Sequence, residues 1–529
     1  MTDTQEHAKT IPGFTPPHPG SPLMPQWNGG ELPLPPVFTW KKIAAFVGPG
    51  LVAGASAIGA GEWLNGPMVC ARYGGSLLWL ATISILAQVV YNMEVSRYTL
   101  YTGESIFTGK FRTMPGPFFW LGIYLVFDFG TIFPYLAASA GTPIFCFFSE
   151  GGRMPDPQNI PTDGEWLKII SYCVFLLAIV PLIFGGKVYN SIRVLMTFKI
   201  FVVLGFLAIL AIFYSKTSTW VEIGGGFFKF GTIPVSKTEV DNIFVCLWEG
   251  RQIPELDLSM IAILGAMAAL AGNGGLTNTN VSGYTRDQGW GMGKHVGAIP
   301  SVIGGHSVKL SHVGMVFPIT EENRKRFAGW YRHIFRDQFF LFGIASFIGL
   351  AMPSMLSVQF LPRGTETDPW LAAGMTAGGV HDAVGVPWLK NPAWAMTLFC
   401  GFLVLALSTT TTADGYFRRW IDVLWTGVPA LRKWKPQSVG KIYFAMLCIY
   451  CVVGLFVLAF VKQGMIMKWA TNIYNYALGF SCLHVLYVNL ILLPREIRPN
   501  WFIRISLVFS GVFFIGIAAI TTVQLVRQM

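Results

Sequence analysis

Charge is what this sequence has least of. Only 12% of its 529 residues are Asp, Glu, Lys or Arg, about half the share of an ordinary soluble chain. That shortage excludes a charge-rich disordered protein and leaves too little polar surface for a soluble globule of this length. Other absences narrow the reading. The start, "MTDTQEHAKT", has no basic segment followed by an apolar core, so no cleavable signal is expected. There is no P-loop, G-x-S-x-G, H-E-x-x-H or deaminase-type signature, so neither an enzyme nor a bound cofactor is expected. Cysteine is sparse, with 8 in the chain. Cys146, Cys173, Cys400, Cys448, Cys451 and Cys482 lie in apolar runs, where a thiol behaves as a small apolar side chain. "CIYC" at 448–451 has neither Gly nor Pro between its thiols, so neither a redox pair nor a disulfide framework is expected.

What is there is apolar: 53% hydrophobic residues, 42 of the chain's residues being Phe. About 20 apolar residues suffice to cross a bilayer. Such runs lie near 43–66, 76–97, 117–147, 167–185, 194–214, 261–283, 337–357, 393–413, 442–461, 468–493 and 502–525, roughly eleven in all. The sixth is the weakest, since its second half is polar. The fold class expected is therefore an all-α multi-pass membrane protein. A Pro/Gly-rich tail over 1–40 precedes a transmembrane domain over 41–529. The tail is read as extended, cytoplasmic and lying along the membrane surface, in effect an inert linker. Lys and Arg concentrate in alternate loops, as cytoplasmic loops do. With the N-terminus inside, those loops hold Lys110 and Arg112, Lys187 and Lys199, the 285–335 loop, Arg418 and Arg419, and Arg495 to Arg504. The net charge of +11 is thus a matter of topology and gives no reason to expect nucleic-acid binding. Lipid is the expected surrounding and the plasma (inner) membrane the expected location; the oligomeric state stays open.

Two runs are interrupted. "AIGAGEWLNGP" (57–67) brings glycines, Glu62 and Pro67 into the first, and "LAGNGGLTNTN" (270–280) brings Gly272, Asn273, Gly274 and Gly275 into the sixth. Irregular backbone persists at membrane depth only where it lines a cavity or is buried in protein. Paired, Gly-interrupted spans in equivalent halves point to a transporter binding site. Glycines alone would read as helix-packing contacts, but a carboxylate with Asn273, Thr277, Asn278 and Asn280 goes beyond packing.

The stretches "GPGLVAGASAIGAGEW", "ARYGGSLLWLATISILAQ" and "YTGESI" resemble the start of the natural-resistance-associated macrophage protein (Nramp) metal transporters. "FDFGTIF" is similar to that family's acidic third helix, "RHIFRDQFFLFGIASFIGLAM" to its seventh and "ALSTTTTADGYF" to its eighth. The likeness runs from about residue 43 to 490. It implies a LeuT-type fold of inverted five-helix repeats: repeat one about 43–215, repeat two about 258–493, and an extra helix about 502–525. It also implies proton-linked uptake of divalent metal ions by alternating access. The family's D-P-G-N falls on Gly59, Ala60, Gly61 and Glu62, so its Asp is missing and a carboxylate stands three residues on. Its M-P-H has no counterpart; Ala271, Gly272, Asn273 and Gly274 stand there. A site without thioether and with oxygen donors suits Mg²⁺ or Mn²⁺ rather than softer metals. The binding candidates are Gly59, Glu62, Ala271, Asn273 and Asn475. The resemblance makes Asp128, with Glu62, the proton pathway. Ser408, Thr409 and Thr412 are candidate sodium-binding or lining hydroxyls, although hydroxyls bonded to their own helix explain them equally well.

Two alternatives follow from the same residues. One keeps the fold and carries an amino acid or other small organic solute by sodium or proton symport, the Gly-Asn-Gly-Gly backbone receiving a carboxylate. The other is a non-transporting membrane sensor, with the tail and the long 285–335 loop as its working parts. His295, His306 and His312 in that loop lack metal-site spacing, and His484 is read as a satisfied core histidine.

Overall fold

The computed structural model describes residues 13–17, 20–36, 49–156, 160–183, 188–297, 311, 313–366, 368, 371–434, 439–461 and 463–527. Lys187, His306, His312 and the first residues of the run starting at 43 lie outside this set. Every apolar run named above is mostly helical where it is described, with non-helical backbone at 58–59, 133–134 and 271–274. Among the described residues, 9 helices are long and apolar enough to cross a membrane. A tenth candidate is a pair, Gly61–Leu77 and Trp79–Thr102, bent by 98°.

The first run forms α1 (Pro49–Ala57) and, beyond an interruption at Ile58–Gly59, a wide π-helical turn at Gly61–Asn65 leading into α2 (Gly66–Tyr73). Next come α3 (Trp79–Thr102), α4 (Ile106–Arg112), α5 (Pro117–Asp128), α6 (Tyr135–Phe148), α7 (Glu165–Ile183) and α8 (Val188–Tyr214). The sixth run gives α9 (Ile261–Leu270) and, past its break, α10 (Asn280–Asp287). The remainder is α11 (Glu321–Arg336), α12 (Ile344–Phe360), α13 (Pro387–Gly427), α14 (Val439–Phe460), α15 (Gln463–Leu492) and α16 (Trp501–Arg527). The bundle surface is apolar: Phe201, Ile212 and Phe213 on α8 and Phe456 and Phe460 on α14 are exposed, as a lipid-facing surface requires. Polar side chains are instead buried at the centre.

Two expectations need correction. The tail is no inert linker over residues 20–36. Trp27 and Leu32 are buried there, and Asn28–Gly29 pairs in parallel with Met315–Val316. A proline-rich segment has little freedom to lose and many carbonyls without partners of their own. Here those carbonyls are met by side chains of the bundle. Arg112 donates to Pro25 at 2.7 Å, Arg326 to Leu32 at 2.9 Å, Trp330 to Pro33 at 2.9 Å and Arg432 to Leu23 at 2.9 Å. The segment thus straps one end of the bundle. Trp27→Ala is expected to cost about 3–5 kcal/mol by emptying its pocket, read as a lowered midpoint in thermal unfolding of detergent-purified protein.

The 285–335 loop is also partly regular. From Glu321 it is helix, started by the Thr320 hydroxyl accepting the Asn323 N–H at 3.2 Å in a side-chain cap. It continues into the next span, which runs Glu321–Phe360. Sequence placed that start at 337 because the 321–336 stretch is charged on one face.

Candidate functional site

At each break the backbone polar groups freed by the loss of helix must find partners. The α9 break is the sharper. Ala271 is extended (ψ 93°) and Gly272 has φ +106°, a region open in practice only to glycine. A Cβ at Gly272 would sit 2.7 Å from Gln88 Oε1, so both conformation and space require the glycine.

Glu62 joins the two breaks. It is fully buried. Its Oε2 accepts the Gly59 N–H at 2.9 Å and its Oε1 accepts the Gly272 N–H at 2.9 Å. Gln88, in the middle of α3, completes the arrangement on the other side. Its Nε2 donates to the Ala271 carbonyl at 2.8 Å, and its Oε1 accepts the Asn273 N–H at 2.8 Å and an Asn278 amide N–H at 2.9 Å. Ser84 donates to the Ala268 carbonyl at 2.6 Å. Asn273 reaches back to α1, donating to the Ala53 carbonyl at 2.9 Å.

Between the breaks lies a small cavity of about 30 Å³. Ser56, Gly59, Asn273, Thr277, Ser408 and Thr412 give it polar walls, and Tyr135 and Tyr474 close its side. Glu62 is not a lining residue. It stands one hydrogen bond behind the wall, holding Gly59 and Gly272, which both line it. Among the described residues no three His, Cys, Asp or Glu side chains converge as a metal cluster would. The donors at hand are carbonyl, hydroxyl and amide oxygens, with one carboxylate adjacent.

The sequence candidates divide accordingly. Gly59, Asn273, Ser408 and Thr412 meet at the cavity, and Glu62 braces it. Ala271 belongs to the break, but its carbonyl is engaged by Gln88. Asn475 is buried away from the cavity, donating to the Gly265 carbonyl at 2.9 Å. Thr409 bonds back to Leu405 of its own helix at 3.0 Å. His484 is satisfied between Tyr124 at 2.7 Å and Thr113 at 2.9 Å. The exposed ring of His295 bonds the Glu31 carbonyl at 2.9 Å.

Asp128 is buried in an ion pair. Arg419 donates to it at 2.8 Å, Trp420 at 2.8 Å and Thr131 at 2.7 Å. Arg419 on α13 also reaches Asn280 of α10 at 3.3 Å. Nearby, Arg286 of α10 pairs with Asp422 of α13 at 2.8 Å, and Arg418 pairs with Asp287 and, at 2.7 Å, with Asp414. These pairs lock α10 to α13. Arg418 and Arg419 are therefore not the loop charges that the topology count made them. Removing one partner of such a buried pair costs about 3–5 kcal/mol, because a desolvated charge is left alone. Arg419→Ala is expected to lose that much stability, and adding Asp128→Asn to it should recover part. A double-mutant cycle of unfolding midpoints checks this.

Gln88, Lys199, Tyr135, Tyr474 and Arg419 were missed as site residues. A polar amide in mid-span signals Gln88.

No family model matches the chain. It is 33% identical over 89 residues to the divalent metal cation transporter MntH of Ralstonia nicotianae, a match covering 17% of the chain and 20% of that relative. It is 25% identical over 88 residues to the metal transporter Nramp3 of Oryza sativa subsp. japonica, covering 17% of the chain and 16% of that relative. The chain thus spans a fifth or less of these relatives. The manganese transporter of Eremococcus coleocola superimposes over 93% of this chain and 89% of its own, with a TM-score of 0.59 at 14% identity. The architecture is therefore shared nearly end to end.

Proposed function

We propose that this Nramp-like membrane transporter, of LeuT-type fold, carries a divalent metal cation through the cavity between its two broken helices. The observation that carries the reading is Glu62 bridging Gly59 and Gly272 beside an oxygen-lined space of about 30 Å³. That is room for one or two water molecules, each needing about 10–15 Å³ of such space, against roughly 300–1,000 Å³ for organic-ligand pockets. It fits an ion that has shed most of its hydration. The names of the relatives, a divalent metal cation transporter and a manganese transporter, support the same cargo.

The organic-solute alternative loses its main support at Gly272 and Asn273. The N–H groups that would receive a substrate carboxylate are already taken by Glu62 and Gln88. Hard oxygen donors favour Mg²⁺ or Mn²⁺. Ser56, Asn273, Thr277, Ser408 and Thr412 would meet the ion, with Glu62 supplying the balancing charge. Transport would proceed by alternating access, coupled to protons. The strapped end, where the N-terminal segment packs, would face the cytoplasm of a plasma (inner) membrane. There the pairs between α10 and α13 would have to part for release. Repeat one would span about 43–215 and repeat two about 258–493. Asp128 is assigned to holding α5 against α13, since its carboxylate is fully engaged by Arg419, Trp420 and Thr131.

The test is uptake into proteoliposomes of Mg²⁺, Mn²⁺, Ca²⁺ and a set of amino acids, with and without a pH gradient. Mn²⁺ or Mg²⁺ uptake that rises with an inward proton gradient is expected. Uptake of an amino acid without any metal flux would overturn the reading.

A further inference from the structure

The connection from α8 to α9 carries large apolar side chains where a loop in water would carry polar ones. It holds a short helix, Thr217–Gly226, then two strands, Thr232–Pro234 and Val240–Asn242, paired antiparallel, and a second short helix, Ile243–Trp248. Trp220, Val221, Phe228, Phe244, Leu247 and Trp248 are exposed, Trp248 to 91%. Within Ile243–Trp248 only Cys246 is buried, and no residue of it is polar. A helix that is apolar on every face belongs in surroundings other than water. Asn242 caps its start by accepting the Phe244 N–H at 2.9 Å. The charges stand outside it and are paired, Arg251 with Asp241 at 2.9 Å and with Glu249 at 2.6 Å.

Depth identifies those surroundings. Gln359, near the end of α12, accepts the Lys216 N–H at 3.0 Å and the Thr219 hydroxyl at 2.8 Å. Past the other end of helix Thr217–Gly226, the Phe227 ring meets the Phe347 ring at 5.4 Å. Phe347 lies about 18 Å back along α12 from Gln359 at the rise of a helix, and its near neighbour Gly349 abuts Ile58 and Glu62. The short helix therefore descends the flank of α12 toward the level of the two breaks. The Thr82 hydroxyl donates to the Phe227 carbonyl at 2.8 Å. Thr82 stands about 9 Å along α3 from Gln88, inside the hydrocarbon half-thickness of about 15 Å when the breaks lie at mid-bilayer. Backbone at that depth has to be satisfied by protein. Trp79 donates to the Thr232 carbonyl at 2.8 Å and Asn242 to the Phe230 carbonyl at 2.9 Å. The exposed side chains also continue the lipid-facing surface of α8, where Ile209, Ile212 and Phe213 are exposed. Trp220 joins the two surfaces by donating to the Ala211 carbonyl of α8 at 3.2 Å.

We propose that residues 217–248 are a re-entrant lipid anchor: they enter the bilayer leaflet beside α3 and α12, and lipid covers Phe228, Phe244, Leu247 and Trp248. The anchor lies at the end of the bundle opposite the strap, since it bonds Trp79 and Thr82 at the start of α3, while Tyr101 at the far end of α3 packs on Trp27. Phe228 adjoins the deep Phe227, whereas Trp248 sits beside the paired charges of Arg251, Asp241 and Glu249, at the interface where tryptophan is at home. The inference is independent of the cargo, because its readout needs neither metal nor flux.

The experiment is site-directed spin labelling of the full-length protein in lipid nanodiscs, in a background with Cys173, Cys448 and Cys451, which are not fully buried, replaced by Ala. Nitroxides are placed singly by Phe228→Cys, Leu247→Cys and Trp248→Cys. All three side chains are exposed, so their replacement leaves the packing intact. Collision with oxygen, which concentrates in lipid, is compared with collision with a water-soluble nickel chelate. Phe213→Cys on α8 gives the lipid reference and Thr238→Cys, at the exposed turn between the strands, the water reference. The oxygen-to-nickel ratio at all three positions should exceed that at Thr238 several-fold and approach that at Phe213, with Phe228 the deepest. Ratios equal to that at Thr238 would mean that water covers the segment and overturn the proposal. Labels shielded from oxygen and nickel alike would mean that protein covers it, such as a second copy of the chain, and overturn it equally.

Discussion

Gly61→Ala is expected to abolish transport and to cost far more stability than an ordinary methyl added to the bundle. A Cβ at Gly61 would overlap the carbonyl oxygen and carbonyl carbon of Leu270 and come within 2.9 Å of its Cβ. The obstacle is backbone, which cannot rotate away as a side-chain tip can. Leu270 is the last residue of α9, so the methyl lands where the two interrupted helices cross. Relief requires the crossing to open, and that would pull Gly272 from Glu62 and Asn273 from Ala53. Overpacking a rigid contact typically costs about 1–3 kcal/mol, and each buried polar group left unpaired adds about 1–3 kcal/mol. The measurement is the unfolding midpoint and monodispersity of the purified variant, with Gly122→Ala as the control. Gly122 has nothing within 4 Å of an added Cβ, so its replacement should leave the midpoint unchanged. A Gly61→Ala protein as stable as that control would mean that the helices do not meet at this point.

That crossing also marks how far the chain could be read. The spans followed from run length, because lipid leaves the backbone no alternative to helix. The α9 break followed from Gly272, Gly274 and Gly275 beside polar side chains. The α1 break was placed at Gly59–Glu62, but it is shorter, confined to Ile58–Gly59 before a wide turn carrying Glu62. Two glycines can be wound into a helix when neighbours satisfy the freed groups, and no local pattern reports those neighbours. Lys199 was counted as a loop charge, although its spacing of three, four and eight residues from Met196, Val203 and Leu207, all buried, puts it on the inward stripe of its helix. A topology count asks how many charges a loop carries and not which way each one points. Asn475 was taken for a lining residue because it is an amide in the tenth apolar run, α15. The adjacent Tyr474 faces the cavity instead, one residue being about 100° of turn in an α-helix. The strap over residues 20–36 was illegible for a different reason. Its partners Arg112, Arg326, Trp330 and Arg432 are all far away in the chain.

Glu62→Gln is the change that separates charge from shape at the site. The amide is nearly isosteric, so Gly61 still crosses Leu270 and the cavity keeps its size. Two things are lost. The first is the negative charge behind the wall, whose attraction for an ion is felt at low effective dielectric. A single unit pair about 4 Å apart is worth on the order of 4 kcal/mol at an effective dielectric of 20. The second is acceptor capacity, since a carboxylate accepts on both oxygens and an amide on one. Gly59 and Gly272 each present an N–H, at 2.9 Å in both cases, so one of them would face the amide NH₂ across a donor–donor contact. That N–H would go unpaired, at a further cost of about 1–3 kcal/mol. Metal affinity is expected to fall by roughly 100-fold or more, about 2.8 kcal/mol. Mn²⁺ binding to the detergent-purified protein by calorimetry reads this directly, with unfolding midpoints recorded beside it. Glu62→Asp provides the discriminating control, because it keeps the charge and withdraws it by one methylene. Should Glu62→Asp bind Mn²⁺ better than Glu62→Gln, the carboxylate acts on the ion through its charge. Equal loss in both would make it a brace for Gly59 and Gly272, and the cation would then owe its place to the neutral oxygens of the cavity.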